Sequence, residues 1–450
     1  MGFAGAAAGK CLGLIKRVVF ERGRLIYLLN IPSFRRSRRQ LDRRPAGEKI
    51  RIGFILQDPT SWAVVQSVYE AALRDERTEA VPLLVPEMEY SFYIRVKKVD
   101  WEKTYRFGEK RFGDRCVKTW NPDTETWTDP GTLDLDYVFM DRPYETYMPK
   151  KYRASSLRKI CRVCFVPYAP PLTLETELTF NSHFIRNVSL VFAEKKWSYD
   201  YLIKKLAPTV RAGDQKVFDI GYPKYDLNRE ELAGESPVWP RERQEGRIRI
   251  MWTPRWTMDP MLCASSFFRY KDDFLRLAEE RRDIDLVFRP HPLALMNYVE
   301  KGYITQEDLD DYIRRLTSLE NAALDQRNTY YDTFWSSDIL ISDMSSMLED
   351  YLMTGKPIIF CPTQAGKTMS DDSRFPISEF MDGFYTAGNF EEITRITDSL
   401  ASGEDPKKPQ REKLAAEMRR DGRTGEHILE TVIRDYEERY GKGKGDRTYE

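Results

Sequence analysis

The chain has 450 residues, 41% of them hydrophobic and 32% charged, with 71 Lys or Arg balancing 71 Asp or Glu. That length and apolar content suit an enzyme of two to three domains, and a net charge of zero gives no electrostatic footing for a nucleic-acid partner. Six cysteines exclude a disulfide scaffold, and three histidines, none beside a cysteine, point to no zinc site and to no other cofactor.

The charge is unevenly spread. The first 49 residues hold 12 Lys or Arg against 3 Asp or Glu. Leu14, Ile15, Val18, Val19, Leu25, Ile26, Leu28 and Leu29 are threaded among Lys16, Arg17, Arg22 and Arg24, with a further cluster from Arg35 to Arg44. Residues 1–48 therefore read as a basic amphipathic segment suited to an anionic membrane surface, or as a solvated arm or packed helix. No apolar run reaches the roughly 20 residues that span a bilayer. The expected location is cytoplasmic, peripheral at the inner face of the cell membrane. Gly5 to Lys10 is not a phosphate-binding loop, since its glycine spacing is one short and Cys11 stands where Ser or Thr is required.

From residue 49 the pattern becomes β-α-β. Arg51 to Gln57 reads as a strand ending in Asp58-Pro59, Trp62 to Leu73 as a helix and Ala80 to Val85 as the next strand. Residues 90–132, rich in Lys, Arg and aromatics, read as a strand pair or an insertion. Strands over 136–140, 160–166 and 188–192 and a helix over 198–206 complete an α/β domain placed at 49–215. A polar, proline-bearing link is placed at 216–245.

The alternation restarts at 246–404. Strands are expected over 248–252, 284–288, 339–342 and 357–360, with helices over 267–279, 293–300, 306–317 and 346–354 and a helical stretch up to Trp335. Residues 405–450 read as a packing helix and charged tail, with Ile428, Leu429, Val432, Ile433, Tyr436 and Tyr440 as its apolar stripe. The fold class is α/β, two Rossmann-like domains facing across a cleft, with ligands at the C-terminal ends of the strands.

Three strand ends in the second domain carry candidate chemistry. Ser345 and Ser346 follow a buried strand and open a helix, an anion site or an ordinary cap. Arg289-Pro290-His291-Pro292 places a cation and an imidazole at another strand end, where the His could give a proton or hold a phosphate. Arg255 stands at a third, so that two arginines and a helix start could neutralise a pyrophosphate.

Taken in order, Gly221-Tyr222-Pro223-x-x-Asp226, Thr253-Pro254-x-Trp256, Arg289-Pro290-His291-Pro292, Ser342-Asp343-x-Ser345-Ser346 and Lys356-Pro357-Ile358-Ile359-Phe360 resemble the CDP-glycerol glycerophosphotransferases of teichoic-acid-type polymers. The similarity runs over about residues 217–390. It implies a GT-B-like fold and transfer of a polyol phosphate from a CDP-alcohol donor to a lipid-linked or polymer acceptor. By position, it makes Arg289 and His291 catalytic and assigns Ser342, Asp343, Ser345, Ser346, Asp350 and Lys356 to the donor site, to which the strand-end reading adds Arg255.

The chain departs from that pattern at Met344, Lys224 and the order Arg255-Trp256-Thr257. The first half also lacks the family's histidine, with Val166-Pro167-Tyr168-Ala169-Pro170 at the comparable strand end. Asp58, Tyr168 and His183 are the acceptor-side candidates. Two alternatives stay open at this point: a GT-B glycosyltransferase using a nucleotide sugar, and a non-catalytic nucleotide-binding assembly protein.

Overall fold

The computed structural model describes residues 48–89, 98–169, 183–227, 236–260, 263–327 and 329–440. The basic segment expected over 1–48 thus lies outside the described residues except for Glu48. The chain divides into two compact units, one built from residues up to 168, 176–226 and 421 onward, the other chiefly from 227–420.

The first unit holds a seven-stranded sheet of β1 (Ile50–Leu56), β2 (Thr78–Leu84), β3 (Val117–Lys118), β4 (Tyr137–Met140), β5 (Arg162–Phe165), β6 (Leu190–Ala193) and β7 (Lys216–Asp219). Every pairing is parallel, in the order β7-β6-β5-β4-β1-β2-β3. Covered on both faces, β4, β5 and β6 are buried at every position, which is why β4 and β6 read as unbroken apolar runs and β5 as one broken only by Arg162. Lys216–Asp219, placed at the head of the link, is the edge strand of this sheet.

The portion over 90–132 contains one antiparallel strand pair, Trp120–Asn121 with Thr126–Trp127, and a second strand, Lys98–Asp100, that pairs with Glu87–Glu89 just before it. It also contains a helix, Glu102–Phe112, that the sequence reading lacks. Only Thr104, Tyr105, Gly108 and Phe112 are buried in it, and the intervening Lys, Arg and Glu mask so sparse a stripe.

The final helix, Thr424–Tyr440, belongs to this unit and lies on the helix Ala63–Arg74. Ile428, Leu429, Val432 and Ile433 are buried, as the apolar stripe predicts. Gly425 permits the contact, because a Cβ there would stand 2.5 Å from the backbone of Ser67. Asp435 anchors the helix to the sheet: its carboxylate accepts from Tyr137 Oη at 2.8 Å and meets Arg162 Nε at 2.7 Å and Lys216 Nζ at 3.0 Å.

The second unit holds β8 (Ile248–Thr253), β9 (Ile284–Phe288), β10 (Ala322–Leu324), β11 (Ile339–Ser342), β12 (Ile358–Phe360) and β13 (Tyr385–Thr386), all parallel, in the order β10-β9-β8-β11-β12-β13. The direction of winding reverses between β8 and β11, and open sheets of this kind bind ligands outside such a reversal. Trp252 forms the centre of the core, its ring 4.3 Å from that of Phe274 and 4.8 Å from that of Phe288.

Candidate active site

The three sequence motifs of the second unit meet at neighbouring strand ends. β9, β8 and β11 are adjacent, and they finish at Phe288, Thr253 and Ser342, one or two residues before Arg289, Arg255 and Asp343. Arg255 and Arg289 therefore do come from neighbouring strands, as the simple strand order predicts.

Asp343 is fully buried and ties these ends together. Its carboxylate accepts from Arg255 N at 2.8 Å, Ser266 N at 2.8 Å and Ser266 Oγ at 2.9 Å. Burial pushes its pKa up to about 6 against the pull of those donors. Ser342 Oγ donates to Thr253 O at 2.8 Å, closing the same strand ends from within. These two residues of the Ser-Asp-x-Ser-Ser motif are thus a scaffold, and only Ser345 and Ser346 are partly exposed.

The expected helix over 346–354 is shorter, Met347–Leu352, and Ser346 makes no side-chain cap to it. Ser345 Oγ instead accepts from Met347 N at 3.3 Å. With fewer than two turns behind it, this helix start contributes hydroxyls and N–H groups to an anion more than a dipole. Gly355, at φ 69°, takes the left-handed conformation that ends the helix, so the Gly-Lys-Pro sequence is a stop signal.

Lys356 has its own assignment within the fold. Its ammonium donates to Trp335 O at 2.7 Å and Ser337 O at 2.5 Å, at the C-terminus of the helix Tyr331–Ser336. Asp350 is buried and accepts from Tyr330 Oη at 2.8 Å.

Arg289 is also mostly buried. Its Nη1 lies 2.8 Å from Asp325 Oδ2, its Nη2 donates to Arg327 O at 2.7 Å, and its guanidinium sits 5.3 Å from the ring centre of Tyr330. Arg327 in turn pairs with Asp325 at 2.9 Å and Asp332 at 2.5 Å. Asp325, Arg327, Tyr330 and Ser266 are the partners that sequence reasoning missed. The signal was available for Asp325, which directly follows the short run Ala322-Ala-Leu324.

His291, two residues beyond Arg289, is exposed. Its Nδ1 accepts from Leu293 N at 3.1 Å, which leaves the neutral ring's proton on Nε2. Packing around the ring and then the charges of Arg255 and Arg289 push its pKa down to about 4. Because the ring reaches solvent, the two guanidiniums are the firmer cause. Arg255 Nη1 donates to Met344 O at 2.5 Å. His291, Arg255, Ser345 and Ser346 are therefore the members of the motif set that reach the surface at the winding reversal.

The acceptor-side candidates lie in the first unit. Asp58, at the end of β1, accepts from Thr60 N at 2.9 Å and pairs with Arg142 at 2.7 Å and Lys103 at 3.0 Å. Burial works to raise its pKa, but Arg142, Lys103 and the Thr60 N–H outweigh it and hold the carboxyl at about 2. Arg142 stands just past β4, the strand beside β1 at this sheet's own reversal. Tyr168 Oη lies 3.2 Å from Tyr144 Oη, and His183 Nδ1 lies 3.5 Å from Glu145 Oε2. Cys161 and Cys164 are buried free thiols, and no cluster of metal-binding side chains occurs among the described residues.

The profile describing CDP-Glycerol:Poly(glycerophosphate) glycerophosphotransferase matches residues 197–434 of the chain. No curated protein matches it. Among solved structures, a UDP-N-acetylglucosamine 2-epimerase superposes with a TM-score of 0.55 at 11% identity, covering 90% of this chain and 100% of that one. The UDP-GlcNAc 2-epimerase from Neisseria meningitidis bound to UDP-GlcNAc gives 0.52 at 14% identity over 86% and 100%. The wall teichoic acid polymerase TagF gives 0.51 at 16% identity over 94% and 98%. At these identities the likeness is one of fold, the α/β class that the alternation of strands and helices predicts and the GT-B-like form of it that the resemblance implies.

Proposed function

Since the chain belongs to the CDP-glycerol:poly(glycerophosphate) glycerophosphotransferase family, we propose that its second unit binds the donor at the β8/β11 reversal and transfers the polyol phosphate to an acceptor hydroxyl, releasing CMP. The observation that carries this reading is the convergence of His291, Arg255, Ser345 and Ser346 on that reversal, around the buried Asp343. An exposed imidazole with Nε2–H outward, a guanidinium and two hydroxyls form a donor-rich surface of the kind a pyrophosphate needs.

In the reaction, the acceptor oxygen bonds to the distal phosphorus as the bond from that phosphorus to the bridging oxygen breaks. CMP leaves with the electron pair of that bond. Alignment and charge neutralisation supply most of the catalysis in phosphoryl transfer, so a neutral His291 donating from Nε2 and a nearby Arg255 suit the role. Bound phosphates would raise the imidazole's pKa and favour its donation to the departing oxygen. Arg289 we place as the residue that fixes this loop, with Asp325 beneath it.

The acceptor hydroxyl must give up its proton, and the first unit offers three candidates. Asp58 is held ionised by Arg142 and Lys103, which suits an electrostatic anchor better than a base. His183, partly exposed beside Glu145, is the better proton acceptor, and Tyr168 suits a binding surface. Residues 49–215 and 246–404 would serve as acceptor and donor domains, joined at 216–245, with the tail from 405. Among the described residues no helix is long and apolar enough to cross a membrane. A lipid-linked acceptor would instead be met at the cytoplasmic face by the basic segment over 1–48.

The test is CMP release from CDP-glycerol and CDP-ribitol, with UDP- and GDP-sugars in parallel, by wild type and His291→Ala in the presence of membranes. Release from a CDP-alcohol that His291→Ala abolishes is the expected result. Release from a nucleotide sugar alone would overturn the reading.

A further inference from the structure

A recess of about 320 Å³ opens in the first unit, lined by Met88, Trp120, Trp127, Met148, Lys150 and Lys151 among others. Its wall is built by local chemistry. The hairpin of Trp120–Asn121 with Thr126–Trp127 sets Trp120 opposite Trp127, with ring centres 4.9 Å apart. Tyr105 clamps that hairpin, its hydroxyl donating to Trp120 O at 2.6 Å while accepting from Trp120 N at 2.7 Å. Both indoles nonetheless stay only half-buried.

The opposite rim is cationic. Met148 and Pro149 are buried in the wall, and the next two residues, Lys150 and Lys151, are exposed. Just before them Tyr144 and Tyr147 project, 44% and 49% exposed. Glu125 supplies one carboxylate to the lining against the two ammonium groups. An apolar recess lined by two indoles and two exposed lysines has the amphipathic make-up of protein surfaces that meet a bilayer interface.

We propose that this recess takes the apolar chain of a lipid phosphate, with Lys150 and Lys151 on the phosphate. The half-buried indoles give the chain its contact surface, and the net positive rim complements the headgroup. The biological use of such a site rests on the transferase reading, in which a lipid-linked phosphate is the acceptor. Its binding chemistry does not, and it is separate from the basic segment over 1–48, which contains no tryptophan.

The experiment measures quenching of tryptophan fluorescence in the full chain by phosphatidylcholine vesicles containing phosphatidic acid with brominated acyl chains. Wild type should be quenched, and the Trp120→Phe/Trp127→Phe double variant should lose at least half of that quenching. Lys150→Glu/Lys151→Glu, at exposed positions that do not endanger folding, should raise the lipid concentration for half-quenching at least fivefold. Unchanged quenching in either variant, or equal quenching by brominated phosphatidylcholine without phosphatidic acid, would overturn the proposal. Donor turnover is not the readout, so a chain that released no CMP would lose its transferase reading while this result stood on its own.

Discussion

Arg289 Nη1 lies 2.8 Å from Asp325 Oδ2, so the arginine of the Arg-Pro-His-Pro motif is pinned beneath His291 by a carboxylate from the neighbouring strand end. Both side chains are nearly or wholly removed from solvent, and Asp325 is shared with Arg327. A buried pair broken from one side leaves an uncompensated charge, which costs about 3–5 kcal/mol. Asp325→Ala should therefore lower stability by about that much in urea unfolding, and it should lower kcat by misplacing His291. If Asp325→Ala unfolds like wild type, Arg289 is not held in this way.

His291 itself is exposed and accepts one backbone hydrogen bond, so its removal should spare the fold and strike the chemistry. His291→Asn is expected to keep the wild-type Tm within a degree or two and to lose about 10²–10³-fold in kcat, the usual share of a positioned hydrogen-bond donor to developing charge. A fall in Tm with little loss of kcat would reverse that assignment.

The pH dependence follows from the same ring. With a pKa of about 4, the free enzyme's imidazole is neutral above that pH, and the acid limb of kcat/KM should lie near it. Arg255 is one of the two cations depressing this value. Arg255→Gln should move the limb upward, by about one pH unit, besides weakening donor binding. An acid limb that stays in place when the arginine is removed would detach it from His291.

Asp58 gives a stability counterpart that is likewise lost as pH falls. Its folded pKa of about 2 lies below the ordinary carboxylate value of 3.8. The stabilisation is complete above roughly pH 4 and is lost as pH falls towards 2. Asp58→Asn should cost on the order of 2 kcal/mol at neutral pH and nothing near pH 2, as measured by denaturant titration at each pH.

Much of the fold was legible because parallel strands buried on both faces leave unbroken apolar runs, such as Tyr137–Met140 and Ile339–Ser342, that few other arrangements produce. The meeting of Arg255, His291 and Ser345 followed from strand ends alone. The division of labour within the motifs did not. The resemblance assigns Ser342 and Asp343 to the donor site as one motif with Ser345 and Ser346, and their own partners, Thr253 O and the Arg255 and Ser266 amides, are backbone groups and a serine distant in sequence. Lys356 was obscured in the same way, since its carbonyl partners at Trp335 and Ser337 carry no sequence signature. The helix Glu102–Phe112 was missed because only one narrow face of it is buried.

The Gly-Tyr-Pro-x-x-Asp motif makes the last case. The two carboxylate oxygens of Asp226 accept from Thr424 N at 3.0 Å and Gly425 N at 2.6 Å, capping the helix Thr424–Tyr440 that closes the first unit. Burial raises its pKa although the two N–H groups oppose this, so the cap works under desolvation. Asp226→Ala should cost about 1–2 kcal/mol, the value of a lost cap. Gly425→Ala, which drives a Cβ into the Ser67 backbone, should cost as much or more through forced separation of the two helices. Both variants should open the helix Thr424–Tyr440 to hydrogen exchange and leave KM for the donor unchanged, because the proposed donor residues sit in the other unit. A rise in donor KM with no change in exchange would instead give Asp226 a part in the reaction.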